Sequence, residues 1–206
     1  MLTVAASSTH TAGLQGFAAT LPGKLVLGLA ATAVVAAAAH VAIPLPFTPV
    51  PLTLQPLAVL GVGLAFGPIG GFLTMLAYLA EGLCGLPVFA PTGPGGIFQL
   101  LGPTGGFLMA YPLVAAIVGG LTPRLSQRLP LRSARFIAAL LGGSTAIALL
   151  FVSGAAWFFH LTHASFHTVW MDTVAPYLPG EIVKVFAAAG IYSTLYRSSR
   201  IQSRRA

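Results

Sequence analysis

Six apolar stretches punctuate this chain: Lys24–Ile43, about Pro51–Phe66, Pro68–Leu83, Pro103–Leu121, about Arg135–Phe159 and Pro179–Tyr196. A segment in hydrocarbon must satisfy every backbone N–H and C=O internally, so helix is the conformation open to each of them. Roughly 20 helical residues span a bilayer core; most of the six are near that length, and Pro51–Phe66 is short. Charged residues make up 6% of the chain, against about 25% in a soluble domain. The expectation is an all-α integral membrane protein with six transmembrane helices.

The net charge of +7 raises the question of nucleic acid, and its distribution answers it. Nine of the ten basic residues are Lys24, Arg124, Arg128, Arg132, Arg135, Arg197, Arg200, Arg204 and Arg205. They cluster before the first stretch, between the fourth and fifth, and after the sixth. With six crossings those places lie on one side, which is the positive-inside pattern of a multi-pass cell-membrane protein with both termini in the cytoplasm. Such ends suit anionic lipid headgroups, not nucleic acid. The division expected is a flexible cytoplasmic lead (1–23), a membrane domain (24–196) and a basic tail (197–206). The lead lacks the charged start and short apolar core of a signal peptide. The single cysteine, Cys84, excludes an intrachain disulfide and reads as a packing residue.

The tenth basic residue, Lys184, sits inside an apolar stretch with Glu181. At i and i+3 the two share a helix face, and charges at bilayer depth face a cavity or a partner. A polar ligand pocket is the first reading; an ion pair that satisfies itself is the second. Gln55 begins the second stretch as a pocket donor or a helix–helix bond. Tyr78 and Glu81 end the third, with Glu81 facing either the pocket or the interface. Between the first two stretches, Pro44, Pro46, Pro49 and Pro51 exclude helix and favour a polyproline-like path. Because Leu45, Phe47 and Val50 make it apolar, it reads as an outer cap.

Gly67-Pro-Ile-Gly-Gly-Phe-Leu73 and Gly102-Pro-Thr-Gly-Gly-Phe-Leu108 are near copies that open consecutive stretches. Paired glycines permit close packing. The second copy, at Thr104, Gly105 and Gly106, also offers helix N-terminal amides to an outer anion. The chain contains no GxxxxGK[ST], so it carries no P-loop. Gly85–Gly96 reads as a lid loop, Thr122–Ser133 as a basic inner loop, and Tyr111-Pro112 as a kink. His160, His163 and His167 would share one helix face, as a zinc site requires, but exposed loop histidines are the preferred reading and no metal is expected. Alanines such as Ala33, Ala37, Ala38 and Ala42 give the first stretch a small-residue face for packing or a partner.

Four stretches taken together, IPLPFTPVPLTLQ (Ile43–Gln55), AYLAEGLCGLPVFA (Ala77–Ala90), LLGPTGGFL (Leu100–Leu108) and YLPGEIVK (Tyr177–Lys184), resemble the BioY family in order and content. The resemblance covers about Lys24 to Tyr196. It implies the substrate-binding S component of an energy-coupling factor (ECF) transporter, a six-helix fold that captures extracytoplasmic biotin. A transmembrane coupling protein and two ATPases would energise it, so ATP is used only by partners and no cofactor or catalytic residue belongs to this chain. It also tips the alanine face toward partner docking. Another small vitamin is the alternative ligand, a homo-oligomer is possible, and an enzyme or channel is the reading from another class. The ligand-binding set implied is Glu181, Lys184, Gln55, Tyr78, Glu81, Phe47, Phe89, Thr104 and Gly105. Glu181 would accept from the ureido N–H groups and Lys184 would donate to the ureido carbonyl or the carboxylate. Family members often carry aspartate where Glu181 stands, and many carry an arginine before GPTGG, where this chain has Pro94–Gln99.

Overall fold

A computed structural model describes residues 20–129 and 133–203, without the side chains of 196–203. The first nineteen residues of the expected lead, Arg132 in the expected inner loop, and Arg204 and Arg205 lie outside the described residues. Helix α1 covers Leu21–His40, three residues ahead of the expected start at Lys24. Thr20 caps it, its hydroxyl accepting from Gly23 N–H at 3.2 Å, and Pro22 sits in the first turn, where a missing N–H is harmless. Strands β1 (Ala42–Leu45) and β2 (Thr48–Thr53) follow. Then come α2 (Gln55–Leu83), short α3 (Gly96–Leu101), α4 (Gly105–Arg128), α5 (Ala134–Thr162), short α6 (Phe166–Thr173), a 3-10 turn (Ala175–Tyr177) and α7 (Leu178–Ser203).

Helix α2 is two arms joined by a reversal. Gly67 alone leaves helical geometry, with φ 71° and ψ −174°, a region open to glycine and strained for other residues. A Cβ placed on Gly71 would lie 3.0 Å from Gly63 Cα, although eight residues of straight helix span about 12 Å. The arms are therefore antiparallel neighbours, and the Gly67-Pro68 pair that opens the third apolar stretch makes the turn.

Small residues bring backbones together. A Cβ on Gly63 would lie 2.4 Å from Ala115 O, and one on Gly119 would lie 2.4 Å from Gly63 O, so α2 and α4 touch through bare glycine. Val59, Leu60, Met75, Tyr78, Val114 and Val118 fill the space beside this contact, all fully buried. Outward faces are equally apolar, with Ile69 75% and Val183 67% exposed. An apolar rim with no polar face is what lipid selects. Five helical stretches are long and apolar enough to cross a membrane.

Three local expectations change. The proline-rich cap is extended but paired: Ala42 opposes Thr53, Ile43 opposes Leu52 and Leu45 opposes Thr48. A two-stranded ribbon has only edges, so prolines sit in it without interrupting a ladder. The expected inner loop from Thr122 is helical to Arg128, and α4 runs unbroken through Pro112 and Pro123. The tail from 197 continues α7 to Ser203.

Candidate binding site

The N-terminal ends of α4 and α7, the N-terminal arm of α2 and the C-terminal half of α5 converge under the β-hairpin. Between them lies a cavity of about 60 Å³. Its roof is Val50, Pro51 and Thr53 from β2 with Ala90 from the loop after α2. Gln55, Gln99, Thr104, Tyr111, Tyr177 and Glu181 bring polar atoms to its wall, and Phe107, Leu108, Leu150 and Phe151 the apolar surface. An apolar hollow with a few convergent polar groups is the usual form of a small-molecule site.

Behind the Glu181 wall lies a buried ion pair. Lys184 Nζ donates to Glu181 Oε1 at 2.6 Å, and both residues are buried. Glu181 Oε2 is buried without a hydrogen-bond partner. An ionised carboxylate has about four acceptor positions, so the carboxylate of this cavity-lining residue keeps unused acceptor capacity. Lys184 does not line the cavity; it neutralises Glu181 from behind. The i,i+3 spacing places both groups on one face but does not say which is nearer the hollow.

Gln55 is oriented from outside the cavity. Its Nε2 donates to Tyr78 Oη at 2.7 Å, and Tyr78 Oη donates to Val88 O at 2.6 Å. Tyr78 is thus a support, wedged edge-on against Phe89 at 5.6 Å between ring centroids. Phe89 in turn lies against bare Gly82, where a Cβ would sit 2.1 Å from its ring. Phe47 is exposed at the hairpin tip. Glu81 accepts from Thr32 Oγ1 at 2.8 Å, tying α2 to α1 away from the cavity. Of the nine expected residues, the structure brings Gln55, Thr104 and Glu181 to the wall and the other six elsewhere.

Gly105 shows why the second Gly-Gly copy is needed. A Cβ there would lie 1.8 Å from Leu100 O, and one on Gly106 would lie 2.3 Å from Trp157 Cβ. Trp157 Nε1 donates to Gly102 O at 2.9 Å and Ser153 Oγ to Gly106 O at 2.8 Å. The Gly105 N–H is taken by Gly102 O at 3.0 Å, so this amide is not a free anion donor. Trp157 thereby anchors the start of α4.

Gln99, Tyr111 and Tyr177 line the cavity but were not expected as site residues from sequence. Gln99 is a lone polar residue between Phe98 and Leu100, a signal of inward orientation once α3 is known to be helical. Its Oε1 accepts from Gly95 N–H at 3.1 Å, and its Nε2 approaches Thr104 Oγ1 at 3.4 Å. Tyr177 donates to Val50 O and Thr48 Oγ1 to Asp172 O at 2.7 Å, pinning the hairpin to the segment before α7. The three histidines do not form one helix face: α5 ends at Thr162, and His163 is its left-handed cap at φ 52°. Among the described residues no group of three His, Cys, Asp or Glu side chains is placed to hold a metal.

The "Biotin transporter BioY" of Rhodobacter capsulatus is 36% identical to this chain over 189 residues, covering 87% of this chain and 96% of the relative. The "Probable biotin transporter BioY" of Pyrococcus horikoshii is 35% identical over 147 residues, covering 71% and 81%. Among solved structures, the crystal structure at 2.1 Å of the S-component for biotin from an ECF-type ABC transporter matches with a TM-score of 0.74. It covers 84% of this chain and 90% of that chain at 24% identity, a likeness of fold. The family profile of BioY matches residues 8–201, and the chain belongs to the BioY family.

Proposed function

We propose that this chain is a biotin-uptake S component: it binds extracytoplasmic biotin in the cavity beneath the β-hairpin and delivers it to the cytoplasm. The observation that carries this is the buried Glu181 carboxylate, which lines the hollow and whose Oε2 has no hydrogen-bond partner. The ureido ring of biotin brings two N–H donors to such an oxygen, and its thiophane ring and valerate chain suit Phe107, Leu108 and Phe151. Gln55, held by Tyr78, offers amide atoms to the same ring. The hollow is smaller than the roughly 300–1,000 Å³ of ordinary ligand pockets. Admission of a bicyclic ligand therefore requires the hairpin or the loop after α2 to move outward.

The reversal at Gly67 supports counting the two arms of α2 as separate membrane passes, which makes six and returns both termini to one side. The basic residues Lys24, Arg124, Arg128 and Arg135 stand at the ends of α1, α4 and α5 remote from the cavity, so the positive-inside rule orients the cavity outward in the cell membrane. The chain is a transporter subunit, not an enzyme, and its energy comes from partners: a transmembrane coupling protein and two ECF ATPases. An apolar groove of about 540 Å³ between α1, α2 and α7, lined in part by Ala31, Ala38, Ala58 and Ala188, is the surface suited to a partner helix.

Uptake of labelled biotin by biotin-requiring bacterial cells tests the reading. Cells expressing the wild-type chain with ECF partners should accumulate label and cells expressing Glu181→Gln should not. Equal accumulation by the two, or none by the wild type, would overturn it.

A further inference from the structure

The cavity has a charge balance that bears on its specificity. Among the described residues no Lys or Arg lines the cavity, and the Lys184 ammonium behind its wall is already paired with Glu181 at 2.6 Å. The Arg124 side chain on α4 lies beside Gly120, and Arg124 is twenty residues from Thr104, about 30 Å along a helix. Arg197 follows Glu181 by sixteen residues on α7, about 24 Å on the same geometry. His40 Nδ1 is bonded to Ala36 O at 2.8 Å on an exposed face of α1. Hydrogen-bond donors are nonetheless present at the lid side. Gln99 is buried and its Oε1 is fixed by Gly95 N–H at 3.1 Å. The backbone of Gly93 lies flat on that amide, since a Cβ there would sit 2.2 Å from Oε1. The amide is thereby held with its NH2 group toward Thr104, and the 3.4 Å contact to Thr104 Oγ1 is long for an N–H···O bond. Both residues line the cavity.

The geometry points to Gln99 and Thr104 as an uncharged clamp that sets specificity at the acyl end of the ligand. The inference rests on the biotin-binding reading above. With the ureido ring against Glu181, the valerate end extends toward the lid. There it meets an amide N–H and a hydroxyl, which recognise an oxygen acceptor whether or not it carries charge. A buried carboxylate with no cation beside it is unfavourable, so the site has no reason to prefer the free acid. Ligands with the ureido ring intact and the acid converted to a primary amide or methyl ester should therefore be accepted.

Competition against labelled biotin on the detergent-purified full chain tests this with three ligands: biotin, biotinamide and biotin methyl ester. Inhibition constants for amide and ester within tenfold of that for biotin are expected; a preference for the free acid above tenfold overturns the clamp while leaving biotin binding standing. Saturable biotin binding failing altogether overturns the transport reading and the clamp with it. The variant Gln99→Leu should weaken all three ligands in parallel by about tenfold, with their ratios unchanged. Unchanged affinity in a folded Gln99→Leu removes Gln99 from the clamp. Should that variant fail to fold, the wild-type series still decides whether charge is read.

Discussion

Lys184 Nζ lies 2.6 Å from Glu181 Oε1, one helical turn away and buried on the same face of α7. One carboxylate oxygen is thereby neutralised and the other left open. Removing one member of a buried pair strands the other charge and costs about 3–5 kcal/mol, while replacing both by neutral groups is often tolerated. Lys184→Met should therefore lower the thermal midpoint in detergent and abolish biotin binding. The double variant Glu181→Gln/Lys184→Met should regain much of the midpoint and none of the binding. Recovery of binding in the double variant would show that the pair supports folding alone.

Tyr78 reaches the cavity only through Gln55. Tyr78→Phe removes the oxygen that accepts from Gln55 Nε2 and donates to Val88 O. An unsatisfied buried group costs about 1–3 kcal/mol, so the variant should lose stability by about that amount. Biotin should bind several-fold more weakly through a loosened Gln55. Equal affinity in calorimetric titration would mean that Gln55 does not touch the ligand.

Glu81 and Thr32 form a tether between α1 and α2, not a part of the cavity wall. Glu81→Gln keeps an acceptor for the Thr32 hydroxyl and should bind biotin within about threefold of wild type, roughly 0.7 kcal/mol. A loss beyond tenfold would return Glu81 to the site.

Glycines divide by what surrounds them. Gly61 has open space where a Cβ would go, and Gly105 has Leu100 O at 1.8 Å. Gly61→Ala should be neutral or stabilising by about 0.5–1 kcal/mol, since alanine restricts the unfolded chain and favours helix. Gly105→Ala must displace α3 or α4 and should destabilise the protein and disturb the Thr104 wall. Thermal midpoints of the two variants, measured side by side, check the contrast.

What could be read from the residues alone followed from local chemistry. Glu181 and Lys184 stood out because charge in an apolar stretch is costly, and the structure buries both and pairs them. The turn at Gly67 was legible as Gly-Pro followed by Gly-Gly. What escaped needed the register between segments. Tyr78 looked like a ligand contact, but only the pairing of the α2 arms reveals that its hydroxyl is used by Gln55 and Val88. Phe89 looked like a lid aromatic, but the bare face of Gly82 accommodates it. The hairpin was hidden by its prolines, which disfavour a sheet interior and say little about a ribbon. The three histidines matched a helix period that the chain abandons at His163.

Equilibrium titration of biotin into the purified wild-type chain and Glu181→Gln, with Gly61→Ala as a folded control, is the most direct measurement. Wild type and Gly61→Ala should bind alike. Glu181→Gln should bind at least tenfold more weakly, 1.4 kcal/mol or more, because a charged acceptor is replaced by a neutral amide. Equal affinity of Glu181→Gln and wild type would contradict the assignment of Glu181 as the group that receives the ureido ring.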